Sequence, residues 1–249
     1  NLNTDFTDQS TISAGTIATW DWKFGDAVPG TSAIKNPSYQ YHPAGTYTVV
    51  LVVSSDKGCK DSTQNEIVVY PNPVPDFGTP KKGCTPVCVD FTDMSTVAPP
   101  DVIAAWSWDF GDNPPASSTD KVVTHCYVTP GKYNASLTVV TNHGCKASKT
   151  INNIAEVYPL PDADFDISPP TAQIYSPTFQ FTDMSTGSPV AWHWDFGLTP
   201  KDTANTQHTS YTYPGDANDF FTYYVTLKIV NQYGCKDSIT KPVHIAPDW

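Results

Sequence analysis

The chain has 249 residues and a net charge of −11, from 25 acids against 14 cations, all of them Lys. With no Arg fork to grip phosphate and an acidic balance, the chain is all but excluded from binding nucleic acid, and an anionic membrane surface is disfavoured as a partner. No apolar run approaches the ~18 residues of a spanning helix, and 11 Phe, 13 Tyr and 7 Trp beside abundant Thr and Val favour pleated strands.

In chain order, Phe6-Thr7-Asp8-Gln9-Ser10 closes a first short strand. Trp20, Trp22 and Phe24 share one face of the next. A turn at Gly45 leads into the longest strand, where Tyr47, Val49, Leu51 and Val53 share a face, and Gly58-Cys59 ends it. The chain then repeats itself. Phe91-Thr92-Asp93-Met94-Ser95 and Phe181-Thr182-Asp183-Met184-Ser185 match the first landmark. Trp106, Trp108 and Phe110, then Trp192, Trp194 and Phe196, match the second. Turns at Gly131 and Gly215 lead into Tyr133-x-Ala-x-Leu137-x-Val139 and Tyr223-x-Val-x-Leu227-x-Ile229, which end at Gly144-Cys145 and Gly234-Cys235. The period suits a small β-sandwich and is too long for a solenoid.

Two Pro-rich junctions, Tyr70-Pro-Asn-Pro-Val-Pro75 and Tyr158-Pro-Leu-Pro-Asp162, separate the copies. They divide the chain into residues 1–71, 72–159 and 160–249. Pro fixes φ, so both junctions read as short, semi-rigid linkers. The first copy has no counterpart of Phe77–Val87. Residue 1 is therefore expected not to be the natural start.

Trp-Asp-Phe-Gly-Asp, Tyr127 just ahead of Pro130-Gly131, and the alternating Tyr-led strand resemble PKD domains. The resemblance covers all three copies and implies tandem Ig-like β-sandwiches on an extracellular protein, the first truncated. The Cys-bearing variant is similar to copies in large surface proteins of gliding or gut Bacteroidota. The ending Val243-His-Ile-Ala-Pro-Asp-Trp249 resembles the lead-in to a type IX secretion sorting domain. Copy three departs from the pattern: Leu198 replaces the second Asp of the motif, and Asp216–Phe221 is an insertion.

No residue set points to catalysis. Asp109-Phe-Gly111 and Asp195-Phe-Gly197 lack the phosphate loop and catalytic loop of a kinase, and copy one reads Lys23-Phe-Gly25. There is no His-Glu-x-x-His or Gly-x-Ser-x-Gly. His125 and His208 sit beside strand aromatics and read as packing residues. Asp26 and Asp112 are the calcium candidates, since some PKD domains of secreted hydrolases bind it. A turn-capping role is the stronger reading of both, and no cofactor is expected. Phe220, in the insertion, is the candidate for an exposed sugar- or protein-binding ring. Thr203 and Ser238, in Asp-Thr-Ala and Asp-Ser-Ile, resemble Bacteroidota O-glycosylation sites.

Six Cys in such a chain suggest an oxidising compartment. Cys88 and Cys126 occur only in copy two. Their counterparts are read as Asn3 and Gln40 in copy one, Thr178 and Ser210 in copy three. In the Ig-like order the resemblance implies, their strands are antiparallel neighbours, so a Cys88–Cys126 disulfide is expected. The same order puts Cys84 and Cys145 at opposite ends of one sandwich, and the bottom of one sandwich beside the top of the next. A Cys84–Cys235 staple across the joint is therefore favoured, with Cys84–Cys145 the alternative. Cys59 and Cys145 are then expected to pair with residues upstream of position 1. Copy three has Ile174 where copy two has Cys84.

The expected role is a non-catalytic extracellular stalk or spacer, within a large surface protein, adhesin or filament. Its partners are other domains of a longer chain and protein or polysaccharide at a cell surface. The alternative is an accessory substrate-binding module of a secreted hydrolase.

Overall fold

The computed structural model describes residues 3–28, 30–173, 177–199, 202–214 and 220–246. Gly215, most of the Asp216–Phe221 insertion, Ile174 and Trp249 lie outside the described residues. Within them the regular structure is entirely β-strand. No helix among them is long and apolar enough to cross a membrane.

Each repeat is a sandwich of two sheets. In the second, the larger sheet runs Ser117–Ser118, Ile103–Asp109, Gly131–Thr141, Lys146–Tyr158, Lys81–Cys84. Its neighbours are antiparallel except the last pair, which is parallel. Val87–Thr92 and Val122–Tyr127 pair antiparallel across the core. The third repeat follows the same plan. Its larger sheet runs Thr171–Gln173, Lys236–Ala246, Phe221–Asn231, Pro189–Asp195, Thr203–Ala204, over the smaller sheet Phe165–Ser168, Thr178–Asp183, Thr209–Thr212. The first repeat sets Thr31–Ser32, Ile17–Lys23, Gly45–Ser55 and Lys60–Val69 over Thr4–Asp5 and Ser38–Tyr39. Among its described residues nothing corresponds to Lys81–Cys84.

Strand alternation explains the three separate cores. Trp108 and Phe110 point inward from Ile103–Asp109 and its end, and meet Phe91 at ring distances of 5.5 and 5.0 Å. Trp194 and Phe196 meet Phe181 at 5.8 and 5.5 Å. Each such ring buries roughly 150–250 Å2, at about 25 cal/mol per Å2, so these rings dominate a small core. Tyr127 and Tyr213 are buried and donate from their hydroxyls to the Phe110 and Phe196 carbonyls, at 2.9 and 3.1 Å. These bonds tie one sheet to the other.

The Asp-Phe-Gly motif is a strand-ending turn. Asp109 Oδ1 accepts the Gly111 N–H at 2.9 Å, and Asp195 Oδ1 accepts that of Gly197 at 3.0 Å. Gly111 sits at φ +72°, and a Cβ there would overlap the Asn134 carbonyl. Only glycine fits such a backbone approach.

One counterpart read from the sequence is wrong. Cys126 lies opposite Cys88, and Thr212, not Ser210, lies opposite Thr178. Ser210 faces Gln180 instead. The Thr178 and Thr212 hydroxyls share a hydrogen bond of 2.8 Å where the second repeat has its disulfide.

Candidate functional site: the stapled joint

A disulfide, a ring stack and a buried side-chain amide come together where the second repeat meets the third. Cys84 ends the edge strand Lys81–Cys84 and lies beside Tyr158, the last residue of the neighbouring strand, in parallel register. Both reach one turn of the third repeat, Asn231 to Cys235. Cys84 is bonded to Cys235 across 151 residues of sequence, with their Cα atoms 5.6 Å apart. Cys145, the alternative partner, lies at the opposite end of the same sandwich and carries no disulfide in this structure. Tyr158 stacks on Tyr233 with ring centroids 4.5 Å apart and planes 8° from parallel.

Asn231 fixes both sides of the contact. It is 2% exposed. Its Oδ1 accepts the Tyr233 and Cys235 N–H groups, each at 3.0 Å, which closes the turn. Its Nδ2 donates to the Pro159 carbonyl of the linker at 2.9 Å. On the far side Gly187, at φ +79°, lets Pro161 come close; a Cβ there would sit 2.7 Å from Pro161 Cα. The linker is held by a clamp, a small-residue notch, a ring stack and a covalent bond.

The first joint uses part of this set. Tyr70 stacks on His143 at 3.8 Å and 9°. His143 Nδ1 lies 3.1 Å from Asp101 Oδ1, whose side chain is buried. Cys145, at the position of Cys235, is half-buried and carries no disulfide, nor does the exposed Cys59.

The stacking pairs were not identified from the sequence. The signal was present: Tyr-Pro-x-Pro opens both junctions, and an aromatic ring or imidazole stands two residues before Cys145 and Cys235.

The other candidates lie apart. Asp26 accepts hydrogen bonds from the Tyr39 hydroxyl and, at 2.9 Å, from the Gly30 N–H. These bonds hold its carboxyl below the usual range, the Tyr39 bond most of all. Asp112 Oδ2 lies 2.8 Å from His125 Nε2, and His125 stacks on Phe110. Each carboxylate thus braces a turn against a ring on the facing sheet. No cluster of three or more His, Cys, Asp or Glu suited to a metal occurs among the described residues. His208 Nδ1 accepts the Asp183 N–H at 3.1 Å. Burial pushes the Asp183 carboxyl up, but hydrogen bonds from Ser185, Trp192 and Gln207 outweigh it and hold the group low. Phe220 is 69% exposed, and Tyr224 nearby is exposed as well. Thr203 and Ser238 are exposed on strands of the third repeat.

The sequence profile of the PKD domain family matches residues 2–69 and 70–155. The pre-pro-metalloprotease PrtV of Vibrio cholerae serotype O1 (strain M66-2) is 40% identical over 67 residues. That segment is 26% of this chain and 7% of that protein, so the chain spans a small part of its curated relative. Among solved structures, the insect immune protein hemolin aligns at a TM-score of 0.36 and 10% identity, over 99% of this chain and 76% of that one. A 1.5-MDa bacterial ice-binding adhesin aligns at 0.32 and 8%, over 95% and 89%.

Proposed function

The chain belongs to the PKD domain family, and we propose on that premise that it is a non-catalytic extracellular spacer that holds other domains of a longer protein at a fixed distance and angle. We place the domain boundaries at 1–71, 72–159 and 160–249. The observation that carries the reading is the second joint. A disulfide, a ring stack and the Asn231 clamp converge on one short Pro linker. A joint built only to connect needs none of them, since Pro linkers alone give semi-rigid spacing. The bond belongs to an oxidising compartment, which supports a place outside the cytoplasm. The finer setting, a Bacteroidota surface protein exported by type IX secretion, rests on the Gly-Cys-x-x-Ser motif and the chain ending.

Small-angle scattering of residues 1–249 tests this. The oxidised chain is expected to scatter as a stiffer rod than the Cys235→Ser variant, whose distance distribution broadens. Superimposable curves would refute a stiffening role for the joint.

A second reading has its own support in the Vibrio metalloprotease segment. In it the repeats are an accessory module that brings a secreted hydrolase to its substrate, and Phe220 is the contact ring. Pull-down on insoluble polysaccharide and collagen, with Phe220→Ala as control, separates it from the spacer. Retention that the variant loses would favour it.

A further inference from the structure

The outer face of the larger sheet in the third repeat carries side chains that its two sister repeats lack. Rows of cross-strand neighbours run along Phe221–Asn231 on the side away from the core. Thr222 lies opposite His244, Tyr224 opposite Pro242, and Thr226 opposite Thr240. In the next row Lys228 stands between His193 and Ser238. Tyr224 is 63% exposed. The rows on either side of it are held by their own hydrogen bonds. The Thr222 hydroxyl and His244 Nδ1 lie 3.1 Å apart, and the Thr226 and Thr240 hydroxyls 2.8 Å apart. His193, Lys228, Lys236 and Ser238 line a hollow of about 540 Å3, a size ordinary for ligand sites.

The cations here are not spent on the protein itself. Neither Lys228 nor Lys236 makes an ion pair among the described residues. The Asp237 carboxylate turns to the core side, where it accepts the Ala163 N–H at 2.8 Å. Asp195, opposite Thr226 and one row from Lys228, accepts the Gly197 N–H at 3.0 Å. Nor does the sandwich need these side chains. In the place of Lys228 between His193 and Ser238, the second repeat has Thr138 between Ser107 and Ser148. The first has Val52 between Asp21 and Ser62. Tyr224, three residues before the core Leu227, is matched by Asn134 before Leu137 and by Thr48 before Leu51. In a chain of net charge −11, an exposed ring and two unspent cations on one sheet face call for a cause other than folding.

We propose that this face binds an acidic polysaccharide laid along Phe221–Asn231, with a sugar ring on Tyr224 and an anionic group at Lys228 and Lys236. Tyr224 and Lys228 are four residues apart on one strand, roughly 14 Å. An extended chain bridges that span and a compact ligand does not. The hydroxyls of Thr226, Thr240 and Ser238 lie along the way and bond to those of a sugar. An acidic protein is the poorer fit, because hydroxyls rather than an apolar anchor site separate the ring from the cations. The site depends neither on the spacer reading nor on Phe220, so its failure leaves the scattering test and the Phe220→Ala test as they stand.

The probe is an oligomer of galacturonic acid, titrated into the isotope-labelled intact chain and followed by NMR. Saturable shifts are expected on Tyr224, Lys228 and Ser238. Affinity should fall roughly three- to tenfold in Tyr224→Thr, the range one ring contact gives, and by a similar factor in Lys228→Thr. Both replacements are residues that a sister repeat carries in that place, so the circular dichroism should stay unchanged. Dextran sulfate and neutral dextran are the comparison arms. The tighter of galacturonate and dextran sulfate identifies the anionic group, and neutral dextran should bind more weakly than either. Binding should fade in about 1 M salt, where the Debye length is ~3 Å. Absence of saturation, shifts confined to the first and second repeats, or unchanged affinity in either variant would overturn the proposal. So would equal binding of neutral dextran or of poly-aspartate, the latter because the face would then serve an acidic protein.

Discussion

Replacing Cys88 and Cys126 with Ser removes a bond that only the second repeat has. The two residues face each other across Val87–Thr92 and Val122–Tyr127, and the bond spans 38 residues. In the chain-entropy treatment a loop of that size contributes about 4 kcal/mol by restricting the unfolded state. The third repeat shows what remains without it. Thr178 and Thr212 share a 2.8 Å hydrogen bond at the same place, worth ~1 kcal/mol. Ser at both positions can make a similar bond, so the expected net loss is about 3 kcal/mol. For a sandwich of this size that is a fall of roughly 12–24 °C in the melting temperature of one transition. Scanning calorimetry of the oxidised chain and the double variant measures it, and non-reducing peptide mapping of the parent confirms which thiols are joined. The reasoning fails if the transition moves by less than about 4 °C, the equivalent of 1 kcal/mol, or if the two cysteines are recovered free. A shift of every transition would also refute it, because the bond lies within one core.

Two further outcomes follow from the cores. Burial, first of all, pushes the Tyr127 and Tyr213 phenols above their ordinary value. Their neutral forms therefore contribute stability that is complete below about pH 10, the unfolded value, and is lost as pH rises toward the folded one. Urea midpoints are expected to fall steeply above pH 10, and less so in Tyr127→Phe; midpoints flat to pH 12 would contradict the burial argument. Gly111→Ala forces a Cβ against the Asn134 carbonyl at positive φ. It is expected to destabilise the second repeat by about 2–4 kcal/mol, and calorimetry showing under 1 kcal/mol would mean the turn relaxes.

The all-β sandwich fold was legible because three features recur together. Trp-x-Trp-x-Phe alternates into a core, Asp-Phe-Gly turns the strand, and a Tyr-led strand covers the face. Register was less legible. Ser210 and Thr212 point to the same face of Thr209–Thr212, so alternation cannot choose between them. Tyr213 decides: its hydroxyl must reach the Phe196 carbonyl, as Tyr127 reaches that of Phe110, and this places Thr212 opposite Thr178. The non-covalent contacts at the joints were least legible. Tyr158 ends a strand, but Tyr233 lies in a turn, where no periodicity tells which way a ring points. Asn231 reads as an ordinary polar residue at a strand end until its side chain is seen to bond both the turn and the Pro159 carbonyl.

The two joints share a design and differ in the contacts made among the described residues, and the difference bears on the spacer reading. The stack is common to both: Tyr70 on His143 and Tyr158 on Tyr233. An aromatic pair contributes about 0.5–1.5 kcal/mol beyond its buried area, so a joint held mainly by such a stack opens often. The second joint adds the Asn231 bond to the linker carbonyl, ~1 kcal/mol, and a covalent link that thermal motion does not break. At the first joint Thr141 stands in the place of Asn231, and its hydroxyl accepts the Cys145 N–H at 3.1 Å. It therefore serves its own turn and offers no bond to the linker among the described contacts. Among the described residues Cys145 carries no disulfide, so the Asn231 clamp and the Cys84–Cys235 bond are seen at the second joint alone among those residues. The second and third repeats should then move as one body for as long as the Cys84–Cys235 bond is intact.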